Sequence, residues 1–486
     1  MGQWPVAKWR PFSSTPSANP NSPWLAAPAA LVGGEPRNLQ PYERSSTGEV
    51  EEMRSRGDGV ESTMRGICEN LRAALCIPGA GGNRRPPPTL SPPDPGGERR
   101  EDLISALPDD VLLSVLLRLP SAAAAARTSV LSRRWRRLWA RLPELWFPHP
   151  ADPLALARSR AALAAGPPAL RLLRVVAYDA DPGDAAEVLR LAAARLTRAV
   201  FIRNVVPECR KKAVVARAGA RAAVGLPCFD RTEQLILCLG YLRLVMPLSG
   251  AFAKLTVLHL ANVRFQGACD LGDVLSTARC ASLRKLVLHD AQGLSNLAIC
   301  SESLLSVDLC NLEGLQQLTV VAPMLRELFI VNCFFMRQPV ADISAPVLEN
   351  LRWSDVYDPR SVQLGELAQL RILVTCCFAG YGLFEYMKNC GTVLLLQHFQ
   401  KIAFLGMLIY PINMVNYQYL MEATALLPDI ENLNLCLVRC EHVIGTCVFH
   451  MLKISTSIRR LDLDIHEGIK ENAACSPGCV CHQPHD

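Results

Sequence analysis

A short leucine phrase, L-x-x-L-x-L, recurs along the second half of this 486-residue chain and constrains its fold more than any other feature. Six clear copies start 28, 21, 21, 23 and 22 residues apart, at Leu255, Leu283, Leu304, Leu325, Leu348 and Leu370. The last two apolar positions of a copy are two residues apart, so both side chains leave one side of a strand and need the next copy to cover them. We therefore expect an α/β protein whose parallel strands stack into a curved solenoid.

Weaker copies extend this array at both ends. They begin at Leu170, Thr232, Phe399, Ile430 and Ile458. Several of the 19 cysteines fall inside repeats, where a free thiol acts as a small buried apolar side chain. The N-terminal residues contain charge and proline where a secretory signal has an apolar run. We therefore expect a reducing compartment, namely the nucleus, the cytoplasm or both.

Residues 1–100 differ in composition from the rest of the chain. They contain 15 of the 35 prolines and show no sustained helix or strand period. Such a composition cannot bury enough apolar surface to fold, so it predicts a disordered leader.

A helical module is predicted directly after the leader, from about residue 102. Leu107-Pro108-Asp109-Asp110 is typical of a helix start, because proline is tolerated in the first turn and carboxylates there face the positive end of the helix dipole. Pro120 ends this first helix. The alanine run 122–126 favours a second helix, and the spacing of Trp135, Leu138 and Trp139 indicates a third. Three short helices bury little surface alone, so we expect an apolar face that a partner covers.

These residues resemble the plant form of the F-box. The match includes Leu107-Pro108-x-x-Val111-Leu112 and the run from Arg127 to Trp139. The resemblance implies docking on a Skp-type adaptor, and through it on a cullin-RING ubiquitin ligase. Internal packing of the three helices is the alternative for each apolar residue. The residues that the resemblance places toward the adaptor are Leu107, Pro108, Val111, Leu112, Val115, Val130, Leu131 and Trp135.

The repeat array resembles the leucine-rich-repeat half of plant F-box proteins, with Cys333 where such repeats place Asn or Cys. The phrase from Leu427 to Glu431, followed later by Cys475-x3-Cys479-x-Cys481, resembles the start of their FBD region, which the resemblance implies is truncated here. The expected division is a leader over 1–100, an F-box over 102–147, a leucine-rich-repeat solenoid over 150–425, last repeats with a partial FBD-like region over 426–474, and a Cys/His-rich tail over 475–486.

The concave face of the predicted solenoid is the expected site for a protein substrate. It consists of the residue between the last two apolar positions of each copy and the residue two before it. Aromatic and arginine side chains dominate interface energies, so the predicted centre is Phe329 beside Arg352 and Glu327. Ordinary strand-face residues are the alternative for every member of the predicted substrate-binding set, Glu327, Phe329, Arg352, Asp308, Lys285 and His259.

The sequence contains no recognisable catalytic motif. P-loop, HExxH, G-x-S-x-G and strand-linked GxGxxG patterns do not occur. A cluster at the C-terminus supplies five possible zinc ligands, Cys475, Cys479, Cys481, His482 and His485. We expect an exposed thiol tail there instead of a zinc site, because zinc ligand pairs are usually two to four residues apart and paired across a fold. No catalytic residue, metal or cofactor is therefore expected.

Two further features suggest partners that we do not expect. The apolar stretch 235–253 contains Arg243 and Pro247, which makes two strands a better explanation than a membrane span. The basic run 133–137 fits the solvent-exposed face of a helix better than a nucleic-acid site. The basic run 210–212 fits a solvated loop or a weak nuclear signal better than such a site.

Together these features predict a non-catalytic substrate receptor of an SCF-type ubiquitin ligase. The F-box is expected to bind the adaptor, and the repeats to bind the protein that is ubiquitinated. The alternative is a leucine-rich-repeat scaffold or ligand-binding protein that acts outside any ligase. An enzyme that uses the terminal Cys/His cluster is a third possibility and would require bound zinc.

Overall fold

The computed structural model describes residues 103–148, 154–166, 169–206, 222–266, 271–334, 338–381, 386–411, 428–439, 445–454 and 457–467. The chain divides into two compact units, whose described parts are residues 103–206 and 222–467. The leader predicted over 1–100 and the tail predicted over 475–486 lie outside the described residues. No helix in the described ranges is long and apolar enough to cross a membrane.

The first unit begins with the predicted helical module. Its described helices are α1 Leu103–Ala106, α2 Asp109–Leu117, α3 Ala122–Arg127 and α4 Arg133–Trp139, with a 3-10 turn at Thr128–Val130. The short α1 is additional to the three predicted helices. Serine caps start two of the others: Ser121 Oγ accepts the N–H of Ala124 at 3.1 Å, and Ser132 Oγ accepts that of Trp135 at 3.4 Å. The shared apolar core of the module contains Leu112, Val115, Leu116, Leu119, Ala125, Trp135 and Leu138.

Three parallel strands complete the described part of the first unit. They are β1 Glu144–Phe147, β2 Leu170–Tyr178 and β3 Leu196–Val205, and the helices α5 Ala155–Ala165 and α6 Pro182–Arg195 connect them. Leu145 pairs with Leu173, which pairs with Val200, and all three are buried. The early copy at Leu170 is therefore confirmed, and β1 adds a parallel strand beside it.

The second unit consists mainly of two parallel sheets. Its described strands are β4 Val224–Gly225, β5 Gln234–Val245, β6 Val257–Phe265, β7 Lys285–Gln292, β8 Asn296–Cys300, β9 Ser306–Glu313, β10 Gln317–Val321, β11 Glu327–Val331, β12 Ala341–Ser344, β13 Asn350–Trp353, β14 Val362–Leu364, β15 Ile372–Tyr381, β16 Lys401–Pro411, β17 Asp429–Arg439 and β18 Arg460–Glu467. The main sheet of this unit has the order β5-β6-β7-β9-β11-β13-β15-β16-β17-β18, with β4 beside β5. The second sheet has the order β8-β10-β12-β14. The predicted α/β class with parallel strands is confirmed.

The segment that returns from one main-sheet strand to the next explains the uneven spacing of the repeats. Copies between Leu283 and Leu370 start 21 to 23 residues apart, and there a short strand of the second sheet makes the return. Longer repeats contain a helix instead, namely α7 Leu271–Leu275, α8 Tyr386–Gln397 or α9 Gly445–Ile454. A helix advances about 1.5 Å per residue and a strand about 3.3 Å, so a helical return needs more residues.

The register confirms most of the predicted copies and corrects one. The phrase predicted at Phe399 is wrong by three residues, because Leu373 of β15 pairs with Leu405 and Thr375 pairs with Met407. The phrase that faces the core is therefore Ile402-x-x-Leu405-x-Met407, and all three of these side chains are fully buried. Both phrases contain apolar residues at the required spacing, so the letters alone did not separate them.

A left-handed residue recurs at the same position of successive copies. These residues are Asn262, Asp290, Asn311 and Asn332, with φ between 49° and 53°. Asn and Asp adopt this conformation more readily than other residues with a side chain. Nδ2 of Asn332 donates to Oδ1 of Asn311 at 3.3 Å, and Nδ2 of Asn311 donates to Oδ1 of Asp290 at 3.0 Å. This side-chain ladder fixes neighbouring repeats in register.

Candidate interaction surfaces

The structure separates the eight predicted adaptor-facing residues into a buried and an accessible group. Leu112, Val115 and Trp135 are at most 6% exposed and pack inside the helical module, as the alternative of internal packing requires. Val130 is 79% exposed and Leu131 is 45% exposed, which is unusual for adjacent aliphatic residues. The residues that a partner can reach are Leu107, Pro108, Val111, Val130 and Leu131.

A carboxylate that sequence reasoning used only as a helix-start signal also ties α2 to α4. Asp109 accepts hydrogen bonds from Nη2 of Arg134 at 2.7 Å and from Nη1 of Arg141 at 3.0 Å. Arg134 donates as well to the carbonyl of Leu107. The hydrogen bond from Arg134 contributes most to holding the pKa of Asp109 below its usual value. The Leu107-Pro108 turn is thus anchored to the third predicted helix.

The Val130 patch, which we define as Val130 and Leu131 with Arg127, Arg133, Arg136 and Arg137, is strongly cationic. Residues 103–148 contain seven arginines and three carboxylates. Arg134 and Arg141 pair with Asp109, whereas the four arginines of the patch form no ion pair with any described residue. The patch therefore combines exposed aliphatic surface with uncompensated positive charge.

A groove of about 160 Å³ lies between the helices and the first strands of this unit. Leu117 and Trp146 line it and are 43% and 45% exposed, and Glu144 and Arg174 also line it. Sequence reasoning missed this groove, because its walls come from α2, α3, β1 and β2 and meet only in the folded unit.

The outer face of the main sheet, meaning the face opposite to its buried leucines, carries the predicted substrate-binding residues in two rows. The first row, from β6 to β15, is His259, Val287, Asp308, Phe329, Arg352 and Val374. The second row is Val257, Lys285, Ser306, Glu327, Asn350 and Ile372. Adjacent strands are about 4.8 Å apart, so Phe329 lies directly between Asp308 and Arg352.

The predicted centre of the site comes together on this face. Cζ of Arg352 lies 5.9 Å from the centre of the Phe329 ring, and Glu327 lies on the same strand as Phe329 and faces the same way. Asp308 is on the next strand. Lys285 and His259 lie farther along the rows, on β7 and β6.

A second imidazole joins His259 and Asp308 on the outer face. Nε2 of His289 lies 3.1 Å from Oδ1 of Asp308, and the rings of His259 and His289 meet edge to face with 5.5 Å between their centres. Burial, followed by the charge of His289, lowers the pKa of His259 to about 4. His259 is therefore neutral near pH 7 and contributes shape and hydrogen bonding instead of charge.

Asp355 is a largely buried carboxylate near the end of β13. It accepts backbone N–H groups from Cys333 at 2.8 Å and from Phe334 at 3.1 Å. Burial raises the pKa of Asp355 to about 6, although these two hydrogen bonds oppose the shift. Asp355 connects its own repeat to the preceding one.

Two family models match the chain. The F-box domain matches residues 104–147, and the model described as FBD-associated F-box protein At5g56370, LRR repeats, matches residues 184–368. An F-box is followed here by leucine-rich repeats. The resemblance that the sequence motifs indicated is therefore confirmed.

Similar curated proteins come from Arabidopsis thaliana. Putative F-box/FBD/LRR-repeat protein At3g49030 is 27% identical over 280 residues, which cover 51% of this chain and 59% of that protein. F-box/FBD/LRR-repeat protein At3g51530 is 30% identical over 188 residues, or 38% of this chain and 39% of that protein. F-box/FBD/LRR-repeat protein At2g04230 is 54% identical over 51 residues, or 10% and 11%. The chain thus spans at most 59% of the length of these three relatives.

Several residues of the leucine-rich repeats that shape the outer face were absent from the predicted set. Ser306 and Asn350 flank Glu327 in the second row, and their position two residues before the first row was the signal that could have found them. His289 lies two residues after the first row and was detectable in the same way.

The structure describes no group of three or more His, Cys, Asp or Glu residues that could hold a metal ion. The cluster from Cys475 to His485 lies outside the described residues, and so does the basic run 210–212.

Proposed function

We propose that the protein is the substrate-recognition subunit of an SCF-type E3 ubiquitin ligase. In this role the F-box binds a Skp-type adaptor and through it a cullin, and the leucine-rich repeats bind the protein to be ubiquitinated. The F-box match over residues 104–147, combined with the exposed aliphatic pair Val130 and Leu131, carries the proposal. The nucleus, the cytoplasm or both are the proposed location.

The proposed mechanism is proximity and involves no catalytic side chain of this chain. Holding two reactants together converts a bimolecular encounter into an effectively unimolecular step. The stacked parallel strands of the repeats support the predicted solenoid and with it this mechanism. The concave face of such a solenoid would be the outer face of the main sheet. A target bound there would be brought close to the ubiquitin-charged enzyme.

Co-purification with a recombinant Skp-type adaptor and cullin tests the proposal. The double variant Leu107→Ala/Pro108→Ala should lose adaptor binding, because it alters the turn that Arg134 anchors to α4. Leu248→Ala in the second unit is the matched control, since Leu248 is 91% exposed and lies outside the F-box. Undiminished adaptor binding by the double variant would contradict the proposed docking.

The same experiment separates the alternative role as a scaffold or ligand-binding protein. A chain that acts outside a ubiquitin ligase would be recovered from cells with repeat-bound proteins but without adaptor and cullin. Recovery of both in stoichiometric amounts supports the receptor.

A further inference from the structure

Six side chains on three adjacent strands form a compact group on the outer face. We call them the β9–β13 group: Ser306, Asp308, Glu327, Phe329, Asn350 and Arg352. Residues two apart on a strand point the same way, and neighbouring strands are about 4.8 Å apart. A single side chain from a partner can therefore contact several members at once.

Hydrogen-bond acceptors dominate this group. Asp308 and Glu327 only accept when ionised, and neither forms an ion pair with a lysine or arginine in the described ranges. Oγ of Ser306 and Oδ1 of Asn350 are buried and have no hydrogen-bond partner among the described residues, and Ser306 as a whole is only 8% exposed. Asp308 and Glu327 thus offer carboxylate oxygens to a donor from outside, and two buried oxygens without a partner lie beside them.

The charged groups nearby leave Asp308 and Glu327 without an ion pair to a lysine or arginine of the described residues. Cζ of Arg352 lies over the Phe329 ring, and Lys285 on β7 is exposed and forms no ion pair with a described residue. Nε2 of His289 is 3.1 Å from Asp308, yet its geometry makes no hydrogen bond. A cation from another molecule therefore does not have to displace an existing ion pair of Asp308 or Glu327 with a lysine or arginine.

We infer that the β9–β13 group binds an arginine side chain presented by the substrate. The guanidinium would lie against Phe329 and donate to Asp308 and Glu327. This inference rests on the proposed substrate-binding role of the repeats and adds the chemical class of the residue that they recognise.

Arginine fits the group better than lysine for three reasons. A guanidinium carries five N–H donors in a rigid plane, whereas an ammonium is a compact point charge. Its planar fork matches carboxylate oxygens on neighbouring strands. Guanidinium groups also stack on aromatic rings such as that of Phe329.

Panning a display library of random 12-residue peptides against the full chain, purified with its adaptor, tests the inference. Selected peptides should be enriched in arginine at one position relative to the starting library. A selected peptide should bind the double variant Asp308→Asn/Glu327→Gln at least about tenfold more weakly, since hydrogen bonds to charged groups are lost. Phe329→Leu should reduce the preference for arginine over lysine in that peptide.

The matched control is Asp342→Asn/Glu366→Gln, which removes two exposed carboxylates from outside the group and should bind like the wild type. Absence of arginine enrichment, equal selection of lysine, or unchanged binding by the Asp308/Glu327 variant would overturn the inference. Circular dichroism of each variant establishes that the fold is retained. Adaptor co-purification is scored separately, so loss of the adaptor would reject the ligase role without altering the outcome for arginine.

Discussion

Replacing Val130 with alanine distinguishes a docking surface from a structural one. Val130 is 79% exposed and is the last residue of the 3-10 turn, so its methyl groups contribute little to the fold. Leu112 is the contrasting position, because it is fully buried in the core of the F-box. Both were predicted to face the adaptor, yet the structure gives them opposite consequences.

The size of each effect follows from burial. Val130→Ala removes two carbon atoms, each of which contributes about 0.8 kcal/mol when it is buried. Docking can bury at most the exposed 79% of Val130, so the variant should lose about 1.3 kcal/mol of binding free energy, or bind about eightfold more weakly. The free energy of unfolding should change by less than about 0.5 kcal/mol. Leu112→Ala should instead lower the free energy of unfolding by about 2–5 kcal/mol.

Isothermal titration with a purified Skp-type adaptor measures the first effect, and urea unfolding of the same samples measures the second. The expected pattern is weaker binding with unchanged stability for Val130→Ala, and a large loss of stability for Leu112→Ala. If Val130→Ala bound the adaptor with wild-type affinity, the exposed pair would not be part of the docking surface.

Three other predictions concern charge, the ladder and pH. Adaptor affinity should fall as salt rises from about 0.05 to 0.5 M, because exposed charges are screened within a Debye length. The dependence on salt should be shallower for Arg136→Gln/Arg137→Gln, and a salt-independent affinity would exclude an acidic partner surface. Asn311→Ala should lower the free energy of unfolding by about 2–3 kcal/mol, since it removes two ladder hydrogen bonds and places alanine at φ 53°. Asn311→Gly should lower it by less, because glycine adopts this φ without strain. Equal losses would show that the backbone conformation is not strained. The pKa of Asp355 is raised to about 6 in the folded protein, so the folded state keeps a proton that the unfolded chain releases from about pH 4. The free energy of unfolding should therefore decrease as pH rises from about 4 to about 6. Asp355→Asn should flatten this pH dependence in urea unfolding, and an unchanged pH dependence would refute the raised pKa of Asp355.

The repeat period predicted most of the fold because each copy carries its own burial pattern. Paired core positions such as Leu286 and Val307 follow directly from the leucine phrase. The ambiguity at Phe399 arose because two overlapping phrases satisfied the same pattern, and only strand pairing selected the one at Ile402. The leucine phrase also did not predict whether each return segment is a helix or a strand, since the intervening residues lack a strong helix or strand period.

The candidate surfaces were predictable in position more than in detail. The first row on the outer face followed from spacing, whereas the contact of Arg352 with Phe329 depends on side-chain conformations that spacing does not determine. Within the F-box, the motif could not divide its apolar residues into buried and exposed ones. Val130 and Leu112 have the same apolar character in sequence, and only the packing of α2 against α4 separates them.

Each middle repeat consists of one main-sheet strand and one return strand, so a whole repeat can be lost or gained as a unit. The copies that start at Leu283 and Leu304 are each 21 residues long, and each contributes one strand to both sheets. Loss of residues 304–324 would take out β9 and β10 together and bring β7 beside β11 and β8 beside β12. It would also remove Ser306 and Asp308 in one step. Changes in repeat number can therefore alter the outer face of such a repeat protein while its core remains intact.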